Sequence, residues 1–126
     1  MISVLIVDDH PVMRELLRQV LEAYSDVSIA AEAVNGEEAV RQAARWQPAV
    51  AIVDIHLPMM DGIEATKQIK LRSPGTVVIG LTAGEPDERD MGMTSAGAIS
   101  VINKADVVYS LYPAIIDAVR NLKAVI

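Results

Sequence analysis

The stretch that decides the fold is AIVDIHLPMMDG, residues 51–62. A run of small and β-branched apolar residues stops on a carboxylate, Asp54, and Leu57-Pro58 and Asp61-Gly62 follow. A run that is apolar at every position suits a strand of a parallel sheet covered on both faces. Pro58 and Gly62 are turn residues that shape the exit, and Asp61 suits the cap of a following helix. A carboxylate at the end of a buried strand is costly to leave unpaired. Its partner has to come from elsewhere in the chain.

On either side, short apolar runs alternate with segments of helical period. ISVLIV (2–7), VSIAAEAV (27–34), AVAIV (49–53), TVVIGL (76–81) and AISVIN (98–103) read as strands. PVMRELLRQVLEAY (11–24) sets Val12, Leu16, Leu17, Val20 and Leu21 at helical spacing. EEAVRQAARW (37–46) follows the turn signal Asn35-Gly36 and is a short amphipathic helix that Pro48 keeps from running on. GIEATKQIKLR (62–72) is helical until Ser73-Pro74-Gly75, and EPDERDMGMTSA (85–96) is a weak helix with Gly92 inside. LYPAIIDAVRNLKAVI (111–126) is the last helix, and Pro113 is tolerated only in its first turn. Five βα units imply an α/β, doubly wound open sheet, which binds ligands beyond the carboxyl ends of its strands.

The totals narrow the class. A chain of 126 residues suits one domain, spanning 1–126. There is no cysteine, so there is neither a disulfide framework nor a thiolate metal site. MISVLIV is too short for a membrane span and lacks the basic start of a signal peptide, so no membrane contact and a soluble cytoplasmic domain are expected. A formal net charge of −6 argues against this domain gripping a phosphate backbone by itself.

The strand ends carry the chemistry. The first strand ends in Asp8-Asp9, the third in Asp54, the fourth in Thr82, and the fifth just before Lys104. Three converging carboxylates repel one another, and a divalent oxygen-seeking cation relieves them. Mg²⁺ fits this set better than zinc, which prefers His and Cys. A carboxylate, an ammonium and a hydroxyl around such an ion suit phosphoryl transfer, where catalysis is positioning plus charge neutralisation. On this reading Asp54 is the nucleophile, Asp8 and Asp9 hold the metal, and Lys104 and Thr82 receive the phosphoryl oxygens.

VLIVDDH, VDIHLPMMDG, LTA and the Lys of INK, in this order and spacing, resemble the receiver domain of two-component response regulators over essentially the whole chain. VDDHPVMRELL further resembles the receivers of NarL/FixJ-type transcription regulators, whose second domain is a helix-turn-helix. The resemblance implies a flavodoxin-like (βα)5 fold with strand order 2-1-3-4-5. It implies a signalling phosphoacceptor rather than an enzyme, with transfer from a sensor histidine kinase to Asp54 in the presence of Mg²⁺. It places Asp9 in direct contact with the ion, Asp8 in contact through water, and the backbone carbonyl of His56 as the third protein contact. DNA would be reached only through an effector domain outside this sequence, and a homodimer through the fifth strand and last helix is a family habit.

The departures lie on the output side. Val101 stands where receivers often carry an aromatic that swings inward as the Thr hydroxyl moves, and Ser100 stands where Gly is frequent. A β-branched valine has few rotamers and no ring. Ala105 follows Lys104 where Pro is common, so a trans bond or a strained loop is expected. Val107, Val108, Tyr109, Leu111, Tyr112, Ile115, Ile116, Val119, Leu122, Val125 and Ile126 are too many for one core-facing stripe. They fit either a broad buried face with scattered exposed residues or a partner surface. Those features leave open a receiver-like dimerisation or interaction module that works without phosphorylation. A phosphatase of the haloacid-dehalogenase type is disfavoured, because His56 stands where its second Asp is needed. A transition-metal site at His10 and His56 lacks further suitable ligands.

Overall fold

The computed structural model describes residues 1–85 and 87–125, with side chains through Arg120. Strands and helices alternate along it. β1 spans Ile2–Val7, α1 Pro11–Glu22, β2 Val27–Ala33, α2 Gly36–Trp46, β3 Val50–Asp54, α3 Gly62–Arg72, β4 Val77–Thr82, α4 Glu88–Ala96, β5 Ala98–Asn103 and α5 Val107–Val125. A 3₁₀ turn over Lys104–Asp106 links the last two. All neighbouring strands are parallel, in the order β2-β1-β3-β4-β5. This is the flavodoxin-like (βα)5 sheet the sequence implies.

Alternation along each strand divides the core in two. Val4 and Ile6 point to Leu17 and Leu21 of α1 and to Leu111 and Ile115 of α5. Leu5 and Val7 point the other way, into a cluster with Ala39 and Ala43 of α2, Ile69 of α3 and Met93 of α4. A strand between two helical layers has no solvent face, which is why β3 is buried at all five positions and apolar up to Asp54. β2, at the sheet edge, is only partly covered, and its sequence is correspondingly mixed.

Caps and one close approach position the carboxyl edge. Asn35 caps α2 by accepting the Glu38 N–H at 2.8 Å, and Asp61 caps α3 by accepting the Glu64 N–H at 2.9 Å. Asp61 is therefore a cap, as its place in the sequence suggests. A Cβ at Gly62 would lie 2.2 Å from the carbonyl oxygen of Asp54, so only glycine lets α3 begin against the end of β3.

Two boundaries differ from expectation. α5 begins at Val107 rather than 111, so Pro113 falls inside the helix and not in its first turn. Pro113 lies on the exposed face, where water can replace the bond its missing N–H would make to the Tyr109 carbonyl. The inward positions Val107, Leu111, Ile115 and Ala118 repay the break by packing on the core. Val108 and Tyr109 are exposed; the side chains of Leu122 and Val125, and Ile126 altogether, lie outside the described residues. α4 begins at Glu88 rather than 85 because Asp87 caps it by accepting the Arg89 N–H at 2.8 Å. Pro86 lies outside the described residues. The other ends fall within two residues of their expected places, and the Lys104–Ala105 bond is trans.

Candidate functional site

Sheet register brings the strand ends together. Val7 of β1 is opposite Val53 of β3, so the next residue of each, Asp8 and Asp54, emerge side by side. Asp54 is opposite Leu81, which Thr82 follows, and Thr82 is opposite Asn103, which Lys104 follows. Ligand atoms of Asp8, Asp9, His10 and Asp54 lie within 4.8 Å of one another. Lys104 Nζ lies 2.9 Å from Asp8 Oδ2 and donates to Asp54 Oδ2 at 3.0 Å. The backbone N–H of His56 donates to Asp54 Oδ1 at 3.0 Å. Both oxygens of Asp54 are thus held, and the carboxylate is fixed at the end of a rigid strand. Asp8 is pinned in the same manner: its Oδ1 accepts the His10 N–H at 2.9 Å, and its carbonyl accepts Arg14 Nη1 at 2.8 Å.

The charge balance is uneven. Asp8 and Asp54 are buried and share the one ammonium of Lys104, and Asp9 stands partly exposed beside them. Burial pushes the Asp54 carboxyl above its ordinary range; the bonds from Lys104 and the His56 N–H pull it back in part, and the Asp8 charge adds to the rise. Burial draws the Lys104 ammonium down, but its bonds to Asp8 and Asp54 outweigh that and leave it raised. Asp8 Oδ2 and Asp9 Oδ1 are buried without an aligned hydrogen-bond donor. Lys104 approaches Asp8 Oδ2 at 2.9 Å as an ion pair. Oxygens of this kind, on a mostly carboxylate donor set, fit a hard divalent cation that keeps some of its waters. His10 Nδ1 stands 3.0 Å from Asp8 Oδ1 and 3.2 Å from Asp9 Oδ1, with its ring largely in solvent.

Asp8, Asp9, Asp54 and Lys104 therefore meet as the sequence implies. Thr82 closes β4 almost fully buried, and its hydroxyl has no protein partner among the described residues. Asp8 and Asp9 are not caps: the N-cap of α1 is His10, with Pro11 as the first helical residue. The ring of His56 is exposed, and its Nδ1 meets Arg89 Nη1 at 2.7 Å. Arg89, Arg14 and the His10 ring nitrogen beside the acids were not indicated by the sequence pattern. The nearest signal was the adjacency in Asp8-Asp9-His10.

A family profile described as the response regulator receiver domain matches residues 4–112. The chain belongs to that family. The receiver is 40% identical over 120 residues to the chemotaxis protein CheY of Halobacterium salinarum, covering 95% of each chain. It is 39% identical over 120 residues to the transcriptional regulatory protein LiaR of Bacillus subtilis, covering 95% of this chain and 55% of LiaR. The response regulator domain of Thermotoga maritima CheB superposes on it with a TM-score of 0.88 at 29% identity, over 95% of this chain and 97% of that one. The receiver spans only 29% and 36% of the methylesterase relatives from Nitrosospira multiformis and Syntrophus aciditrophicus. Among its described residues, no helix is long and apolar enough to cross a membrane.

Proposed function

We propose that this receiver takes a phosphoryl group on Asp54 from the phosphohistidine of a sensor histidine kinase, and so switches a partner or an attached output domain. The observation that carries this is the fixed Asp54 carboxylate, 3.0 Å from Lys104 inside a triad of acids. A carboxylate oxygen of Asp54 attacks phosphorus, the phosphorus–nitrogen bond of the donor breaks, and the leaving imidazole takes up a proton. Lys104 receives charge building on the phosphoryl oxygens, the free hydroxyl of Thr82 donates to one of them, and the His56 N–H keeps the carboxylate aimed. Asp8, Asp9, Asp54 and the His56 carbonyl are the residues that would hold Mg²⁺. The bound ion supplies further neutralisation of phosphoryl charge.

Output is the finer part of the reading. LiaR supports a transcriptional regulator of the NarL/FixJ kind, with DNA bound by a separate effector domain. The CheY and methylesterase relatives support chemotactic or enzymatic outputs equally well at the level of this domain. Residues 1–126 are read as one cytoplasmic phosphoacceptor domain, with a homodimer formed through β5 and α5, where Ile99, Val108 and Tyr109 are exposed.

The test is brief incubation with acetyl phosphate and Mg²⁺, followed by intact mass. One added phosphoryl group is expected, and none in Asp54→Asn. The same gain in both proteins would remove Asp54 from the role. A second reading, an interaction module independent of phosphorylation, draws on Val101, whose methyls pack towards Gly80 and the α2–α4 core where a switching ring would stand. That reading predicts no phosphoryl gain together with constitutive self-association.

A further inference from the structure

Away from the acidic edge, the positive charges are not distributed evenly. Arg14 pairs with Glu32, Arg18 with Glu15 and Glu32, and Lys104 with Asp8 and Asp54. Lys70 donates to the carbonyls of Pro74 and Thr76, and Arg89 meets His56. Lys67 and Arg120 are in no ion pair among the described residues, but they lie apart from the cluster that Arg41 and Arg45 of α2 form with Arg72 of α3. Among the described residues none of the three has a carboxylate at ion-pair distance, yet all line one groove between the two helices. Arg41 and Arg45 are four residues apart on the same helical face, a like-charge spacing that disfavours the helix. The groove has a volume of about 580 Å³ and an apolar floor of Val40, Ala44 and Met60. Glu37 is the single acid at its rim.

Three guanidinium groups without a carboxylate partner, above an aliphatic floor, are complementary to carboxylates flanking an apolar side chain. We infer that the α2–α3 groove docks an acidic peptide segment of a partner protein. Its carboxylates take Arg41, Arg45 and Arg72, and an aliphatic side chain rests on Val40, Ala44 and Met60. A second copy of the chain is a poorer occupant, since two molecules of net charge −6 repel. Nucleic acid is poorer still, because its continuous run of phosphates would extend past the groove onto the negative remainder of the surface, whereas a short acidic segment meets the three guanidinium groups alone. Met60 belongs to the loop that leaves Asp54, so a segment seated here touches the segment that carries the acceptor's exit.

Trp46, the only tryptophan, reports on the groove directly, because the Arg45 guanidinium lies 4.9 Å from its ring centroid. The full chain is titrated with a synthetic octapeptide of Glu and Asp around two central leucines, following Trp46 fluorescence and backbone amide NMR shifts. Saturable binding is expected, with shifts confined to α2, Met60 and the end of α3. It should weaken with added salt and fall about tenfold or more in R41E/R72E. These are exposed positions, and far-UV circular dichroism together with unchanged labelling by acetyl phosphate verifies the fold of the variant. Three results overturn the inference: shifts scattered over other basic residues, equal binding by R41E/R72E, or tighter occupation of the groove by an oligothymidylate of the same length. Salt-sensitive self-association of the chain alone that R41E/R72E abolishes would assign the groove to a second copy and overturn it as well.

Discussion

Asp54 shares one ammonium with Asp8, and Asp9 stands beside them. The protein groups of the site therefore carry more negative charge than Lys104 balances, and the Asp54 carboxyl, raised mainly by burial, is raised further by the Asp8 charge. Neutralising Asp54 leaves Asp8 and Lys104 as a matched pair at 2.9 Å, so removing this charge differs from breaking a balanced buried pair. Asp54→Asn should melt above the wild type in Mg²⁺-free buffer at neutral pH, read by circular dichroism. A lower melting temperature would mean that the Asp54–Lys104 bond outweighs the repulsion. At this scale the sequence was informative where a polar residue interrupts an apolar run: Asp8, Asp54, Thr82 and Lys104 all sit at such interruptions. Arg89 and the His10 ring were not legible. Their contribution depends on which way a side chain turns from a loop or a first helical turn, and no periodicity records that.

Elements end where polar groups find partners, and the amino edge of the sheet shows this as clearly as the carboxyl edge. Thr76 Oγ1 donates to the Pro48 carbonyl at 2.6 Å and meets Ser73 Oγ at 2.6 Å, while Ser73 donates to Gln47 Oε1 at 3.1 Å. Ser73 and Thr76 are buried, so the network ties the end of α3 and the start of β4 to the entry of β3. Thr76→Val keeps the shape but strands the Pro48 carbonyl; a loss of about 1–3 kcal/mol is expected in urea unfolding. A loss within error would show that water takes over the site. Lys70, on the same helix end, is drawn below its ordinary value of 10.5 by burial. Between that lowered value and 10.5 the unfolded chain binds more protons than the folded one, so this group makes stability rise with pH. Against Lys70→Met, the wild type should gain stability steadily as pH climbs through that interval, and a constant difference would contradict the shift. The start of α5 was the least legible boundary. Pro113 argues locally for a helix starting near 111, whereas Val107, Leu111, Ile115 and Ala118 pack as one stripe and the packing prevails.

For the whole molecule, layer order followed from the sequence because every βα unit shows the same signature, an apolar run and then a helical period. Output did not, since the chain resembles a methylesterase, a transcriptional regulatory protein and a chemotaxis protein at similar identity. What the whole fold should feel is the cation. A ligand that binds only the folded chain stabilises it by RT ln(1 + [L]/Kd), about 2.7 kcal/mol at one hundred times Kd. In a domain of this size that corresponds to a rise in Tm on the order of 10 °C. Mg²⁺ should therefore raise the wild-type Tm in a saturating manner, and a chelator should reverse the rise. Asp9 tests the assignment most cleanly, because it is the most exposed of the three acids and pairs with no lysine or arginine among the described residues. Asp9→Ala should fold with little change in the metal-free Tm and lose the Mg²⁺ response. Retention of the full response would move the ion away from Asp9, and a collapse of the metal-free fold would make Asp9 structural. Ca²⁺ at matched concentration gives a further comparison. Two or three carboxylates and a few waters suit the small octahedral ion better than one seeking six to eight oxygens, so the Ca²⁺ shift should be the smaller.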